Sequence, residues 1–532
     1  MASRSTSSQI FRPLRTRWLP TALDLALGAL FAIPAILAWR HQFHVVVGDY
    51  DEGLILTNTF LMGKGQVPYR DFYTNYPPGL YLVLRALWWV GGETVNLERL
   101  LGAAVHAAVA LGTGRLAARI AKHRFSLAAA GMCSLWLVTI APVPFAYLCA
   151  VAMALFALEL VARSVETASP LTSALAGMAV AGISFFRHDL FVYLVLAWAF
   201  LGVLGLVMGG TSGRRPRRSL MIPFVAGLAL GLLAFWGPAL LLGGVRQTFL
   251  DLYFDQIHRV HPARVLAMPK FWTWTAQGPQ LWHEPLSAFA LLPLLSPWVA
   301  ALLCWRFSTR SSATVLALGL TLAVLPQMWG RTDLHHCLYT AAPSLAVLFG
   351  AARSFRSDRA LVAVSALCAV LLVPTGQVRT LAKTPVRDVQ TVDPRLKGIS
   401  YDPVKQRVVL AVKRRTHPDE PVFFGLTDHR FTFVSEMDLY YLSERPGGLR
   451  RMQFDPNMSN QRDEQELMIA DLEERGVNLA VLSARFAEKR EADNASWNPG
   501  STLLDDYLRE RFWRAEAIGA YEVWVRTQPL AR

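Results

Sequence analysis

Eleven apolar runs of near-spanning length recur along this chain, at about 18–40, 96–119, 125–141, 144–163, 171–187, 190–209, 219–242, 286–305, 312–330, 337–352 and 359–376. About 20 apolar residues are what an α-helix needs to cross the hydrocarbon core of a bilayer. Inside lipid each backbone N–H and C=O must find a partner within the protein, so such runs are confined to a bundle of helices. Pro34, Pro223, Pro238 and Pro293 fall inside runs, which membrane helices tolerate because neighbours satisfy the freed backbone groups. With 53% of its 532 residues hydrophobic, 17% charged and a mean hydropathy of +0.30, the chain is excluded from the ordinary soluble class. The stretch 125–163, interrupted by Ala141-Pro142-Val143-Pro144, reads as two spans or as one re-entrant unit.

The net charge of +14 would suit nucleic acid only if the basic residues clustered on a surface. Instead much of the excess falls in alternate short loops: Arg115, Arg119, Lys122 and Arg124, then Arg163, then Arg214 to Arg218, then Arg306 and Arg310, then Arg353, Arg356 and Arg359. That alternation is the orientation signal of a membrane protein whose basic loops are cytoplasmic, and no nucleic-acid partner is expected. The basic N-terminus precedes a first run without a small-residue cleavage site, so a retained span is expected rather than a removed signal peptide. Loops 41–95, 243–285 and 331–336 then face outward, and an odd number of spans puts the C-terminal region outside as well. Five cysteines, all in or beside apolar runs, fit neither a disulfide framework nor a structural metal. The expected architecture is an all-α transmembrane domain over 1–376 in the cytoplasmic membrane and an extracytoplasmic α/β domain over 377–532. In the latter, amphipathic stretches at 403–416, 461–475 and 501–512 alternate with β-rich runs at Val422 to Phe424, Val477 to Leu482 and Tyr521 to Val525. Without a glycine-rich phosphate loop, this domain is expected to cap the membrane domain or help shape a groove.

Acids, aromatics and prolines crowd into residues 48–81, directly after the first run. Carboxylates at a membrane boundary are costly unless they have partners or a task. In Gly48-Asp49-Tyr50-Asp51-Glu52-Gly53 the spacing of Asp49 and Glu52 is that of a capping box. Asp51 is the acid least explained by capping and the first candidate for a general base, with Glu52 second. Arg70 beside Asp71 is either a surface ion pair or a device that orients substrate. Tyr76-Pro77-Pro78-Gly79 reads as a rigid turn into a short amphipathic helix, 79–90, ending in the interfacial pair Trp88-Trp89.

The opening span, the Asp-Glu pair, the Gly-x-x-Pro-Tyr-Arg-Asp-Phe…Pro-Pro-Gly-Leu-Tyr loop and the following short helix together resemble the polyprenyl-phosphate-dependent glycosyltransferases of the GT-C class, in particular bacterial protein O-mannosyltransferases and aminoarabinose transferases. The resemblance covers residues 18–120, and beyond them rests on helix count, orientation and an outward C-terminal domain. It implies an acid of the first outer loop as the catalytic residue, carried here by Asp51 or Glu52. Asp49, Tyr69, Arg70, Asp71 and Tyr76 would position substrate. Two departures stand out: Asn75-Tyr76-Pro77-Pro78 replaces the Lys-Pro-Pro of many relatives, and Ala141 to Phe145 lacks the second acid that some carry. A divalent cation, Mg or Mn, is therefore an open question, because a hard ion prefers several oxygen ligands.

A lipid-phosphate donor requires cations for its departing phosphate. Arg331, His335 and His336 in Arg331-Thr332-Asp333-Leu334-His335-His336 are the first candidates, on an Arg-x-Asp-x-x-His element that resembles one in bacterial transferases. Arg187 is the second, unless Asp189 simply neutralises it. The outer stretch 243–285 carries His258, Arg259, His261 and Arg264 with Trp272, Trp274 and Trp282, which suits sugars and head groups or, equally, an interfacial belt. The histidine spacings give no zinc site. Expected partners are a polyprenyl-phosphate sugar donor, a glycan, lipid or protein acceptor, and membrane lipids. The rival is a transporter that moves a lipid-linked sugar without breaking a bond. It would place acids in mid-membrane, whereas the exceptions here, Asp24 and Glu159, lie in spans nearer the cytoplasmic side.

Overall fold

The computed structural model describes residues 21–121, 126–207, 218–265, 272–275, 278–281, 295–296, 298–299, 302, 312–330, 334–354, 358–370, 372, 393–487 and 498–530. Every expected run coincides with helix except 286–305, which lies largely outside the described residues. The first is α1 (Ala22–Gln42). Two helices follow within 41–95: α2 (Asp51–Gly63), whose extent was not expected, and α3 (Gly79–Gly91), the short helix expected over 79–90. Then come α4 (Val95–Ile120), α5 (Leu127–Leu137), α6 (Ala146–Thr167), α7 (Pro170–Phe186), α8 (His188–Val207) and α9 (Arg218–Gly243). Starts are chemically marked: Thr94 Oγ1 accepts from Leu97 N–H at 3.3 Å, and Ser169 caps α7 with Pro170 in its first turn.

The stretch 243–285 is also not a plain loop. Helix α10 (Val245–Phe249) runs on through two π-helical turns, Leu250–Phe254 and Gln256–Val260, into α11 (His261–Arg264), and a hairpin pairs β1 (Trp272–Thr275) with β2 (Gly278–Leu281). Helices α12 (Ser312–Ala323), α13 (Leu325–Gly330), α14 (Leu334–Ala341), α15 (Leu345–Ser354) and α16 (Asp358–Val370) complete the membrane part. The run 337–352 is interrupted by a 3₁₀ turn, Ala342–Ser344, at Pro343, where the missing N–H breaks the ladder. Among the described residues, five helices are long and apolar enough to cross a membrane, namely Ala22–Gln42, Val95–Ile120, Ala146–Thr167, Ser219–Gly243 and Ala313–Gly330.

Asp24 and Glu159, the span acids singled out above, have packing tasks. The Asp24 carboxylate accepts from the first N–H groups of α5, Leu127 at 3.1 Å and Ala128 at 3.2 Å. Glu159 pairs with Arg119 at 2.7 Å and Arg163 at 2.9 Å.

The C-terminal region is an α/β unit: α17 (Pro403–Arg415), β3 (Val422–Leu426), α18 (Asp438–Ser443), α19 (Arg462–Glu474), β4 (Leu479–Ser483), α20 (Leu503–Arg511), β5 (Phe512–Ile518) and β6 (Tyr521–Arg526). The sheet order is β3-β4-β6-β5, parallel between β3 and β4 and antiparallel elsewhere. Strands β3 and β4 are buried throughout, which is why Val-Phe-Phe-Gly-Leu and Leu-Ala-Val-Leu-Ser read as unbroken apolar runs. This unit is more than a cap. One continuous core joins Leu54 and Phe60 of α2 and Leu84 and Trp88 of α3 to Phe423, Tyr441 and Leu482, with the Trp88 and Tyr441 rings stacked at 5.6 Å. A second core, around Trp136, Leu148, Leu338 and Phe349, lies inside the bundle.

Candidate active site at the start of helix α2

The run Asp49 to Gly53 meets a different environment at each residue. Asp49 is not the cap that its spacing suggested, and α2 starts without a side-chain cap. Its carboxylate turns to the C-terminal unit, with Lys405 Nζ at 2.5 Å and Arg485 Nη1 at 3.0 Å. Burial raises the Asp49 carboxyl, but the two cations outweigh it and hold it below the usual carboxylate range. Glu52 keeps its half of the capping box, accepting from Gly48 N–H at 2.6 Å. It is also 4% exposed and gripped in a fork by Arg99 of α4, Nε to Oε1 at 2.7 Å and Nη2 to Oε2 at 3.0 Å. Glu52 is thus enclosed within the fold, which removes it as an acid that substrate could reach. Asp51, between them, is exposed. It sits in the first turn of α2, where the aligned backbone dipoles favour a negative charge.

Two tyrosines flank Asp51, each faced by an arginine. The Arg264 guanidinium lies over the Tyr50 ring at 5.2 Å and is clamped by Asp455, Nε to Oδ1 at 2.5 Å. The Tyr50 hydroxyl donates to Asp455 at 3.2 Å and accepts from Gln453 Nε2 at 2.9 Å. Burial pushes this phenol well up, so it stays protonated. On the other side Arg187 lies over the Tyr76 ring at 5.4 Å. Burial raises the Tyr76 phenol too, and Arg187, Asp51, Arg264 and Asp455 are all near enough to act on it electrostatically. The two stacks therefore lie near each other and near Asp51.

Arg187 is placed by a break in the chain. It is extended between α7 and α8, and the Tyr76-Pro77-Pro78-Gly79 turn packs onto it because Gly79 lies against the Phe185 carbonyl, where a Cβ would collide. Asp189 holds Arg187 in a fork at 2.8 and 3.0 Å, and Gln327 Oε1 accepts from Nη2 at 3.1 Å. Neutralisation by Asp189 is therefore present, and it also fixes the plane of the guanidinium. His188 next to it meets the Tyr253 ring at 4.6 Å.

The remaining sequence candidates are spread around this centre. Tyr69 is fully buried at a φ of +69°, its hydroxyl donating to the Tyr76 carbonyl at 3.0 Å, so it braces Tyr76. Arg70 and Asp71 pair with each other at 2.8 Å on the surface, and Asp71 also accepts from Val67 N–H at 2.7 Å. His258 is exposed and stacks on Phe254 at 4.5 Å. Arg259 pairs with Asp463 at 3.0 Å, one of a row of links, with Arg450–Asp251 and Arg451–Asp255, that tie Val245–Arg264 to the C-terminal unit. The His261 ring lies beside Gly330. His336 is half-buried against the Tyr339 ring at 5.4 Å, and Tyr339 in turn is close enough to act on the charge of Arg187. Arg331 and the side chain of His335 lie outside the described residues.

Among the described residues one trio of acids comes within reach of a shared ion: Asp49, Glu436 and Asp438, with oxygens within 4.8 Å of one another. Lys405 Nζ already stands among them, 2.5 Å from Asp49, 2.5 Å from Asp438 and 3.2 Å from Glu436, and Arg485 reaches Glu436 at 2.6 Å. Two protein cations take the place that a Mg or Mn ion would need, so the trio does not fit a divalent-cation site.

No protein-family model and no curated protein matches the chain. Solved structures do. The chain is similar to ArnT from Cupriavidus metallidurans bound to undecaprenyl phosphate, at a TM-score of 0.53 and 14% identity over 95% of this chain and 98% of that one. It is similar to the apo state of the same protein at 0.54 and 15%, over 94% and 98%. The fold is that of ArnT. An ArnT fold with these apolar helices makes the chain a multi-pass membrane protein with a C-terminal α/β unit, the architecture expected of the GT-C class.

Sequence reasoning missed Tyr50, Asp455, Arg99 and Lys405, and had Arg264 only as one of the polar residues of the stretch 243–285. Tyr50 stands between two conspicuous acids, and Arg264 ends the basic stretch 258–264, so both carried a signal. Asp455 lies in a tract without periodicity and carried none.

Proposed function

We propose that this chain is an integral membrane glycosyltransferase that moves a sugar from a polyprenyl-phosphate donor to an acceptor hydroxyl, on a glycan, lipid or protein, at the outer face of the cytoplasmic membrane. The N-terminus is cytoplasmic, and the two parts are a transmembrane domain, 1–376, and an extracytoplasmic domain, 377–532. The observation that carries the reading is the exposed Asp51 carboxylate between two arginine-faced tyrosines, in the fold of a protein whose solved structure holds undecaprenyl phosphate.

Asp51 takes the proton of the acceptor hydroxyl as its oxygen bonds to the anomeric carbon. The bond from that carbon to the phosphate oxygen breaks on the opposite side, and the lipid phosphate leaves with the electron pair, so a single displacement inverts the centre. Arg187, held flat by Asp189, receives the growing phosphate charge, together with His336, Arg331 and His335. Tyr50, Tyr76 and Arg264 shape the space in which the sugar ring lies. Glu52, Asp49, Tyr69, Arg70 and Asp71 support this arrangement from behind, and the segment carrying His258, Arg259 and His261 borders it.

Purified protein incubated with polyprenyl-phosphate sugars and acceptor should release lipid phosphate, which separates transfer from transport of the intact lipid. Asp51→Asn should lower turnover by about 10²–10⁴-fold with Tm unchanged. Near-normal turnover in folded Asp51→Asn would overturn the reading.

A further inference from the structure

The C-terminal unit grips the catalytic turn from behind through a charged joint. Asp438 N–H donates to the Asp49 carbonyl at 3.3 Å, and Thr57 Oγ1 donates to the Met437 carbonyl at 2.6 Å. Gly53 makes this approach possible, since a Cβ there would collide with the Asp438 backbone. Around these contacts lie three acids, Asp49, Glu436 and Asp438, and two cations, Lys405 and Arg485. Lys405, Glu436 and Asp438 are each no more than 2% exposed at the side chain. The Tyr521 hydroxyl donates to Glu436 at 2.6 Å and accepts from Arg485 at 3.2 Å, closing the network against β6.

This joint is not built for stability. Three carboxyl groups face two cations, and among the described residues Glu436 Oε2 and Asp438 Oδ1 are buried with no hydrogen-bond partner. A well-packed apolar joint of the same volume would commonly be as stable or more so. What paired charges add is a single register, because every other alignment strands a charge. The outer residue whose register they fix is Asp49, and Asp51 follows two positions later on the same turn.

We propose that Lys405 and Arg485 are positioning residues: gripping the Asp49 carboxylate from the C-terminal unit, they set where Asp51 stands in the site. The proposal rests on Asp51 as the base. It assigns the C-terminal unit a part in turnover without any contact with substrate.

A double-mutant cycle in the full-length protein tests it, with kcat, donor KM and Tm measured for Asp49→Asn, Lys405→Met and the pair. Each single change should lower kcat about tenfold and leave donor KM within about twofold, since it misplaces a group used only in the transition state. The combined variant should be no slower than the slower single, because both changes break one contact. A folded Lys405→Met with wild-type kcat, or losses that multiply, would overturn the proposal. Should Lys405→Met not fold, Lys405→Met with Asp438→Asn removes one cation and one acid together, keeping the net charge of the joint, and the same kcat loss is expected. Asp51→Asn is assayed alongside. If it stays active, the reading of Asp51 fails and the positioning role with it. If it is inactive while the Lys405 variants turn over normally, only the positioning role fails.

Discussion

The open side of the first turn of α2 and the joint behind it use the same residue type, a carboxylate, within three positions, and put it to opposite ends. In the joint, Asp49 meets two cations and Glu52 is enclosed by a third, Arg99. On the open side Asp51 faces solvent, and the nearby cations, Arg187 and Arg264, lie over tyrosine rings and are held by acids of their own. The lesson is one of division of labour. An acid can be spared for proton transfer when its neighbours on both sides carry the structural load.

The largest effect should come from breaking the enclosed side. Arg99→Met strands Glu52 in a site from which water is excluded, and removal of one partner from a buried pair costs about 3–5 kcal/mol. Arg99 also donates to the carbonyls of Phe43 at 2.7 Å and Val45 at 2.8 Å, so the link from α1 to α2 should loosen as well. Thermal unfolding of the purified protein measures this. An unchanged Tm would show that Glu52 is not fixed by Arg99 and would return it to contention as the base.

A smaller effect belongs to the open side. Arg187→Lys keeps the charge but loses the planar fork that engages both Asp189 oxygens and Gln327. Donor KM should rise about tenfold, the scale of one charge-assisted hydrogen bond, while acceptor KM stays. Equal changes in both would mean that Arg187 supports the site as a whole and not the phosphate.

Much of this was legible in the chain, and the failures have physical reasons. Helices α3, α17, α19 and α20 could be read because one apolar face repeats with helical period, whereas the short α18, buried throughout, shows no such face. Strands β3 and β4 could be read because burial on both faces makes them wholly apolar. Helix α2 was missed because it too is buried nearly all round, from Glu52 to Leu61, so polar Thr57, Asn58 and Thr59 masked its period. Strand β5 was missed because Phe512-Trp-Arg-Ala-Glu-Ala-Ile518 buries only its two ends. At the site, Asp51 was singled out by elimination, and the structure changes the ground of that elimination: Asp49 is taken by Lys405, 356 residues away in sequence, not by a helix cap. Contacts of such separation leave no local pattern. Lys405 sits in α17 among other basic residues, and nothing in that stretch distinguishes the one lysine that is buried.

The finest test compares the two sides through pH. Burial, with Asp49 and Glu436 nearby, outweighs the pull of Lys405 and lifts the Asp438 carboxyl from 3.8 to about 7. A carboxyl raised in this way takes up a proton on folding, so its contribution to stability is complete below its unfolded value and is lost as pH rises through about 7. Asp438→Asn removes the titrating group and should flatten that decline. The difference between wild type and variant across about pH 5 to 8 should be on the order of 1 kcal/mol, because Lys405 and Arg485 share the joint and offset part of each change in its charge. Tm measured across this range for both proteins decides it. Parallel curves would mean that Asp438 stays ionised throughout. The joint would then carry its full negative charge at neutral pH, and the acids behind α2 would stand closer in charge state to Asp51 than their burial implies.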